Sequence, residues 1–162
     1  MRIGIVLDGL ISSEHFSNQN LDSDLFCLNQ IATKDGWHSV NRWFAQNNDV
    51  FIFTERSNQG VTNRWLLEWN IAYNNVVYDL SPDSQYAKAV DLGCDIFVCP
   101  DTYGNISIGS DTSVFMLSTG SKTLLDSSYN PISSLEELDK VINQWSEHKR
   151  KLNVTHVMRS KS

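Results

Sequence analysis

The residues able to do chemistry in this chain fall in four short stretches: Asp8-Gly9, Thr54-Glu55-Arg56, Lys88, and Asp101 following Cys99-Pro100. They supply carboxylates, a hydroxyl, a guanidinium and an ammonium group, the side chains that move protons and hold ions. Taken singly, each has a plainer reading. Asp8-Gly9 suits a turn, Thr54 suits a helix cap, and Lys88 suits a solvated helix face. Their interest lies in where the surrounding sequence puts them.

Apolar runs of strand length recur at 3–7, 50–53, 75–78, 96–99, 114–117 and 123–125. Most are continuous rather than alternating, as expected of strands covered on both faces. Between them lie helical patterns. "GWHSVNRWFAQNN" puts Trp37, Val40, Trp43 and Phe44 on one stripe, and "GVTNRWLLEWN" does so with Val61, Trp65, Leu66 and Trp69. "SPDSQYAKAVDLG" has Ser81 or Asp83 as cap and Gly93 past its end, and "SSLEELDKVINQW" has Ser133 or Ser134 as cap with Glu136 and Glu137 in the first turn. Strands alternating with helices imply a parallel, helix-covered sheet, an α/β three-layer Rossmann-like architecture. Ligands of such sheets gather beyond the C-terminal strand ends, where the strand order reverses. Asp8 follows the first strand, Thr54 to Arg56 the second and Asp101 the fourth, while Lys88 lies on the helix entering the fourth.

With that order in view, "IGIVLDGLI", "VFIFTERS" with "VTNRWLLEWNI", and "YAKAVDLGCDIFVCPD" together resemble the haloacid-dehalogenase (HAD) superfamily, in particular its small 5'-nucleotidase-like phosphohydrolases. The resemblance spans roughly residues 2–146. It implies a HAD-like fold and carries family roles over position by position. The attacking aspartate falls on Val6, the general acid and base on Asp8, the phosphate-holding hydroxyl on Thr54 and the neutralising lysine on Lys88. The acidic pair that would hold Mg2+ falls near Cys99 and Pro100, with Asp101 one place late.

These departures change the expected chemistry. Valine has no lone pair, so the aspartyl-phosphate step has no nucleophile at position 6. Only Asp8 and Asp101 remain as Mg2+ ligands, too few for a tight octahedral site. Losing carboxylates also removes repulsion against a bound anion, about 4 kcal/mol per charge pair at about 4 Å and an effective dielectric of about 20. Thr54, Lys88, Gly9 and neighbouring backbone N–H groups are therefore the expected phosphate-binding set, without metal. The favoured reading is a catalytically degenerate HAD-like domain, a pseudophosphatase that binds a phosphorylated ligand or a protein partner. Two others stay open: a Mg2+-dependent phosphohydrolase or nucleotidase using Asp8, with Asp101 and Asp95 rearranged as ligands, and a structural or interaction module.

Composition narrows the rest. The 162 residues suit one domain able to bury roughly 70% of its unfolded surface, with 41% apolar and 20% charged residues and five tryptophans. The expected organisation is a HAD-like domain over 1–146, with a short polar cap or flap insert at about 12–35, and a basic tail over 147–162. That tail holds Lys149, Arg150, Lys151, Arg159 and Lys161 against Glu147, a net charge of +4, which leaves −10 on the body. An acidic body argues against nucleic-acid binding by the domain face. A protein partner would meet the basic tail or any exposed tryptophan. Cys27, Cys94 and Cys99 form no CxxC, so reduced thiols are expected, and His15, His38, His148 and His156 have no metal spacing. Arg2 is followed by only a few apolar residues before Asp8 and no apolar run approaches membrane length, so a cytoplasmic protein without membrane contact is expected. Cys99 reads as a small buried hydrophobe.

Overall fold

The computed structural model describes residues 1–13, 27, 30–104, 106, 109, 111–118, 129–145, 147 and 148. Strands β1 (Arg2–Val6), β2 (Asp49–Phe53), β3 (Asn75–Val77), β4 (Ile96–Pro100), β5 (Ser113–Leu117) and β6 (Tyr129–Ile132) form one sheet in the order β3-β2-β1-β4-β5-β6. Every pairing is parallel. The parallel α/β architecture expected from the sequence is therefore the one formed.

Burial explains the continuous apolar runs. Ile3, Ile5 and Val6 in β1 and Ile96 to Cys99 in β4 are completely buried, because β1 and β4 lie inside the sheet with helices over it. Helices α1 (Lys34–Ala45) and α2 (Gln59–Glu68) join β1 to β2 and β2 to β3, stepping toward one edge; α3 (Pro82–Asp91) carries the chain back across to β4. Right-handed crossovers place α1 and α2 on one face and α3 on the other. A last helical stretch, α4, runs over 137–145. It is tied to α1 through Asp139, whose carboxylate accepts from the indole Nε1 of fully buried Trp43 at 2.8 Å and pairs with Arg42 Nη2 at 2.7 Å.

The run expected at 123–125 lies outside the described residues, as do most of the cap segment and the tail from 149. β6 has no apolar run to signal it, because its "YNPI" is short and contains Pro131, which only an edge strand tolerates. Two expectations need correction. The helical stripes place Phe44 and Trp69 inward. Both are instead partly exposed, because each sits about 100° round the helix from the buried Trp43 or just past the last turn. Finally, α4 begins at 137 rather than beside Ser133, whose backbone N–H is received by Glu137 Oε1 at 3.2 Å.

The start of α1 is pressed against the segment that follows β1. Thr33 caps the helix, accepting from Gly36 N at 3.0 Å and donating to Leu10 O at 2.5 Å. A Cβ on Gly36 would lie 2.4 Å from Leu10 O, a backbone atom, and 2.9 Å from Ile11 Cα. Gly36→Ala is therefore expected to lower the urea-unfolding free energy by about 1–3 kcal/mol, although alanine ordinarily gains about 1 kcal/mol over glycine within a helix. Unchanged or increased stability would show that this contact yields without cost.

Candidate functional site

In the strand order, β1 neighbours both β2 and β4, and the chain turns from one direction of travel to the other there. The crevice beyond the C-terminal ends of β1 and β4 is thus the switch point where such sheets bind ligands. Leu7 still joins the ladder, donating to Phe53 O at 2.9 Å, and the chain then turns sharply: both Ile11 N and Ser12 N donate to Leu7 O. Gly9 allows the turn with a φ of 85°, a value that L-residues rarely adopt. The turn leaves Asp8 with a carboxylate only 4% exposed.

Residues after β2 enclose that carboxylate. Thr54 Oγ1 donates to Asp8 Oδ2 at 2.7 Å and accepts from Arg56 N at 3.1 Å, closing a tight turn. Arg56, 1% exposed, folds back so that Nε donates to Asp8 Oδ1 at 2.7 Å, with Nη2 2.6 Å from the same oxygen. Nη2 makes this approach without an aligned hydrogen bond, and Nη1 has no acceptor among the described residues. The result is a fully buried carboxylate–guanidinium pair with a hydroxyl on the carboxylate's other oxygen.

A polar chain runs outward from it. Leu80 N donates to Thr54 O, Gln85 Nε2 donates to Leu80 O at 2.9 Å, and Tyr103 Oη donates to Gln85 Oε1 at 3.1 Å. Tyr103 lies near the acids: burial first, then Glu55 and Asp8, push its phenol well above the ordinary value, so it remains a proton donor. Glu55, half-buried, has its pKa raised by burial and secondarily by Asp8. Cys99 is buried, and burial followed by Asp101 raises its thiol strongly, which leaves it protonated and unsuited to act as nucleophile or metal ligand.

Of the site residues expected from sequence, Asp8, Thr54 and Gly9 meet at this crevice. Lys88 does not. The buried face of α3 presents Gln85 and Ala89, and Lys88, one position from Ala89, turns outward. It lines a separate hollow of about 450 Å3 beside edge strand β3, with Gln59, Asn63, Asn75 and Tyr78. The cation that does meet Asp8 is Arg56, two places after Thr54; the sequence places it at a strand mouth, but nothing in it shows that the side chain folds back. Asp101 is buried in the short 3-10 turn Asp101–Tyr103 and has partners of its own.

The Mg2+ implied by the resemblance does not fit this donor set. Both Asp8 oxygens are engaged, Val6 and Pro100 offer no side-chain donor, Cys99 holds its proton, and the described residues include no group of three or more His, Cys, Asp or Glu able to hold a metal. No helix among the described residues is long and apolar enough to cross a membrane.

Among solved structures, the chain is similar to the D,D-heptose 1,7-bisphosphate phosphatase of B. bronchiseptica complexed with magnesium and phosphate, with a TM-score of 0.62 and 14% identity over 88% of this chain and 98% of that one. It is equally similar, at 0.62 and 10% identity, to an uncharacterized protein from Listeria monocytogenes serotype 4b, over 91% and 99%. No family model matches the chain, and no curated protein does. The likeness is one of fold: the parallel α/β sheet with its helices is shared with both structures over nearly the whole of each chain.

Two outcomes follow from the buried pair and its neighbour. Asp8→Ala, which strands Arg56, is expected to cost about 3–5 kcal/mol in urea unfolding, and the double replacement Asp8→Leu with Arg56→Met substantially less; equal losses would mean the pair is not coupled. For Glu55, a folded pKa above its ordinary 4.5 means that the native state binds more protons than the unfolded chain, so its contribution to stability is lost as pH rises through that window. Glu55→Gln should therefore melt higher than wild type at about pH 7, with the gap closing toward about pH 4. A gap that stays constant with pH would remove Glu55 from this account.

Proposed function

We propose that this chain is a HAD-like domain in which phosphoester hydrolysis has been lost and binding of a phosphorylated small molecule has been kept. One observation carries the reading: the carboxylate at the mouth of β1 is committed to Arg56 and Thr54, while the place of the attacking carboxylate is held by the buried, chemically inert Val6.

Hydrolysis through a covalent intermediate needs an oxygen lone pair aimed at phosphorus and a second group to deliver a proton to the departing alkoxide. Val6 supplies no lone pair. Asp8 is held on one oxygen by a hydroxyl donor and on the other by a guanidinium, so neither oxygen is presented to a substrate. Tyr103 and Cys99 are kept protonated by burial and offer no substitute nucleophile. What this crevice retains is recognition: a buried cation, a turn of backbone at Gly9, and the switch-point position where α/β sheets receive ligands. The nucleotidase-like branch of the sequence resemblance makes nucleoside monophosphates the first ligands to try.

The purified chain is expected to release no phosphate from an aryl phosphate or a nucleoside monophosphate in excess Mg2+, yet to melt at a higher temperature when phosphate or a nucleoside monophosphate is present, with chelator making no difference. Mg2+-dependent turnover abolished by Asp8→Asn would overturn the loss of catalysis. Absence of any shift with these anions would overturn the retention of binding.

A further inference from the structure

The Asp8–Arg56 pair uses only part of the guanidinium. Nε and Nη2 are turned to a single Asp8 oxygen, so the pair occupies one side of the planar group. The adjoining edge, formed by Nη1 and the second N–H of Nη2, has no acceptor among the described residues, although the side chain is only 1% exposed. Buried donors of this kind are nearly always satisfied in native proteins, and those of a charged group most of all. An edge of two parallel N–H groups has the spacing to receive two oxygens of one oxyanion.

We infer that the Nη1/Nη2 edge of Arg56 is the receiving group for a tetrahedral oxyanion, the phosphate of the bound small molecule. This rests on the binding reading above and gives it a specific atom pair in place of Lys88. Asp8 is the anchor in this arrangement rather than a competitor. It holds the guanidinium along the adjoining Nε/Nη2 edge, cancels its charge when no ligand is bound, and fixes the plane that the oxyanion meets. Thr54 contributes indirectly, since its hydroxyl orients the Asp8 carboxylate and its oxygen receives Arg56 N. Arg56 leaves β2 by only three residues, which puts it one strand from the β1–β4 switch point.

The test is titration of the whole chain with inorganic phosphate and with sulfate, in chelator, by calorimetry, together with NMR of the Arg56 guanidinium. Both anions are expected to bind saturably and to shift the Arg56 Nη resonances. Arg56→Lys, which keeps the charge but not the fork, is expected to weaken binding about tenfold or more. Because Arg56→Gln alone strands Asp8, the double variant Asp8→Asn with Arg56→Gln serves as the complete deletion; with its fold verified by circular dichroism, it should bind neither anion. If wild type binds and the folded variants bind equally well, or if Arg56 Nη resonances stay unmoved at saturation, the assignment to Arg56 is wrong while anion binding itself stands. If wild type binds neither anion, the binding reading falls with it.

Discussion

A carboxylate and a guanidinium removed from water together impose the tightest constraint in this molecule. Each alone would carry a desolvation penalty of several kcal/mol, and only close geometry with further hydrogen bonds repays it. Asp8 meets that condition with contacts of 2.6 and 2.7 Å to Arg56 and a further bond from Thr54, while the far end of the Arg56 guanidinium has no acceptor among the described residues. Three separate pieces of chain must therefore agree: the turn after β1, the turn after β2, and the lateral register that puts Val6 beside Phe53. A slip of one residue in that register would separate the charges while leaving both buried.

The rest of the scaffold can be understood as holding those two turns still. The segment after Asp8 is clasped from outside by Thr33 and by the close approach of Gly36, which leaves no room for a side chain. The turn after β2 is held by Asp79 N donating to Arg56 O and Leu80 N to Thr54 O, so the exit of β3 braces the exit of β2. Gln85 then links Leu80 to Tyr103, extending the bracing across to the end of β4. The α1–α4 contact at Asp139 lies away from this crevice and serves packing, since it satisfies an indole N–H that burial would otherwise strand.

How much of this the sequence disclosed follows from what each signal measures. Continuous apolar runs report burial on both faces, and they located β1 to β5 to within a residue or two. β6, at the edge, has exposed Asn130 and Pro131 and so carries no such run. Helical periodicity located α1 to α3 but not their rotation about the axis, and a shift of one position is enough to take Lys88 from the crevice to solvent. Asp8, Thr54 and Gly9 were legible because a strand mouth needs no phase: whatever follows the last ladder residue lies at the crevice. Arg56 satisfied the same rule, yet its role depends on a long side chain folding back on a carboxylate 48 residues earlier, which no local pattern encodes.

Charge balance explains why a single arginine suffices at this crevice. A crevice with several acids at the ends of two strands is self-repelling and needs a divalent cation to be stable and to accept a phosphate. Val6, Cys99 and Pro100 carry no charge, so the ends of β1 and β4 hold Asp8 and Asp101, and a single guanidinium is enough to neutralise the first of them. The internal ion pair is the element that holds Asp8 in a buried position. On the function proposed above, the crevice offers a ligand a fixed, oriented set of N–H donors in place of a group that activates an attacking oxygen.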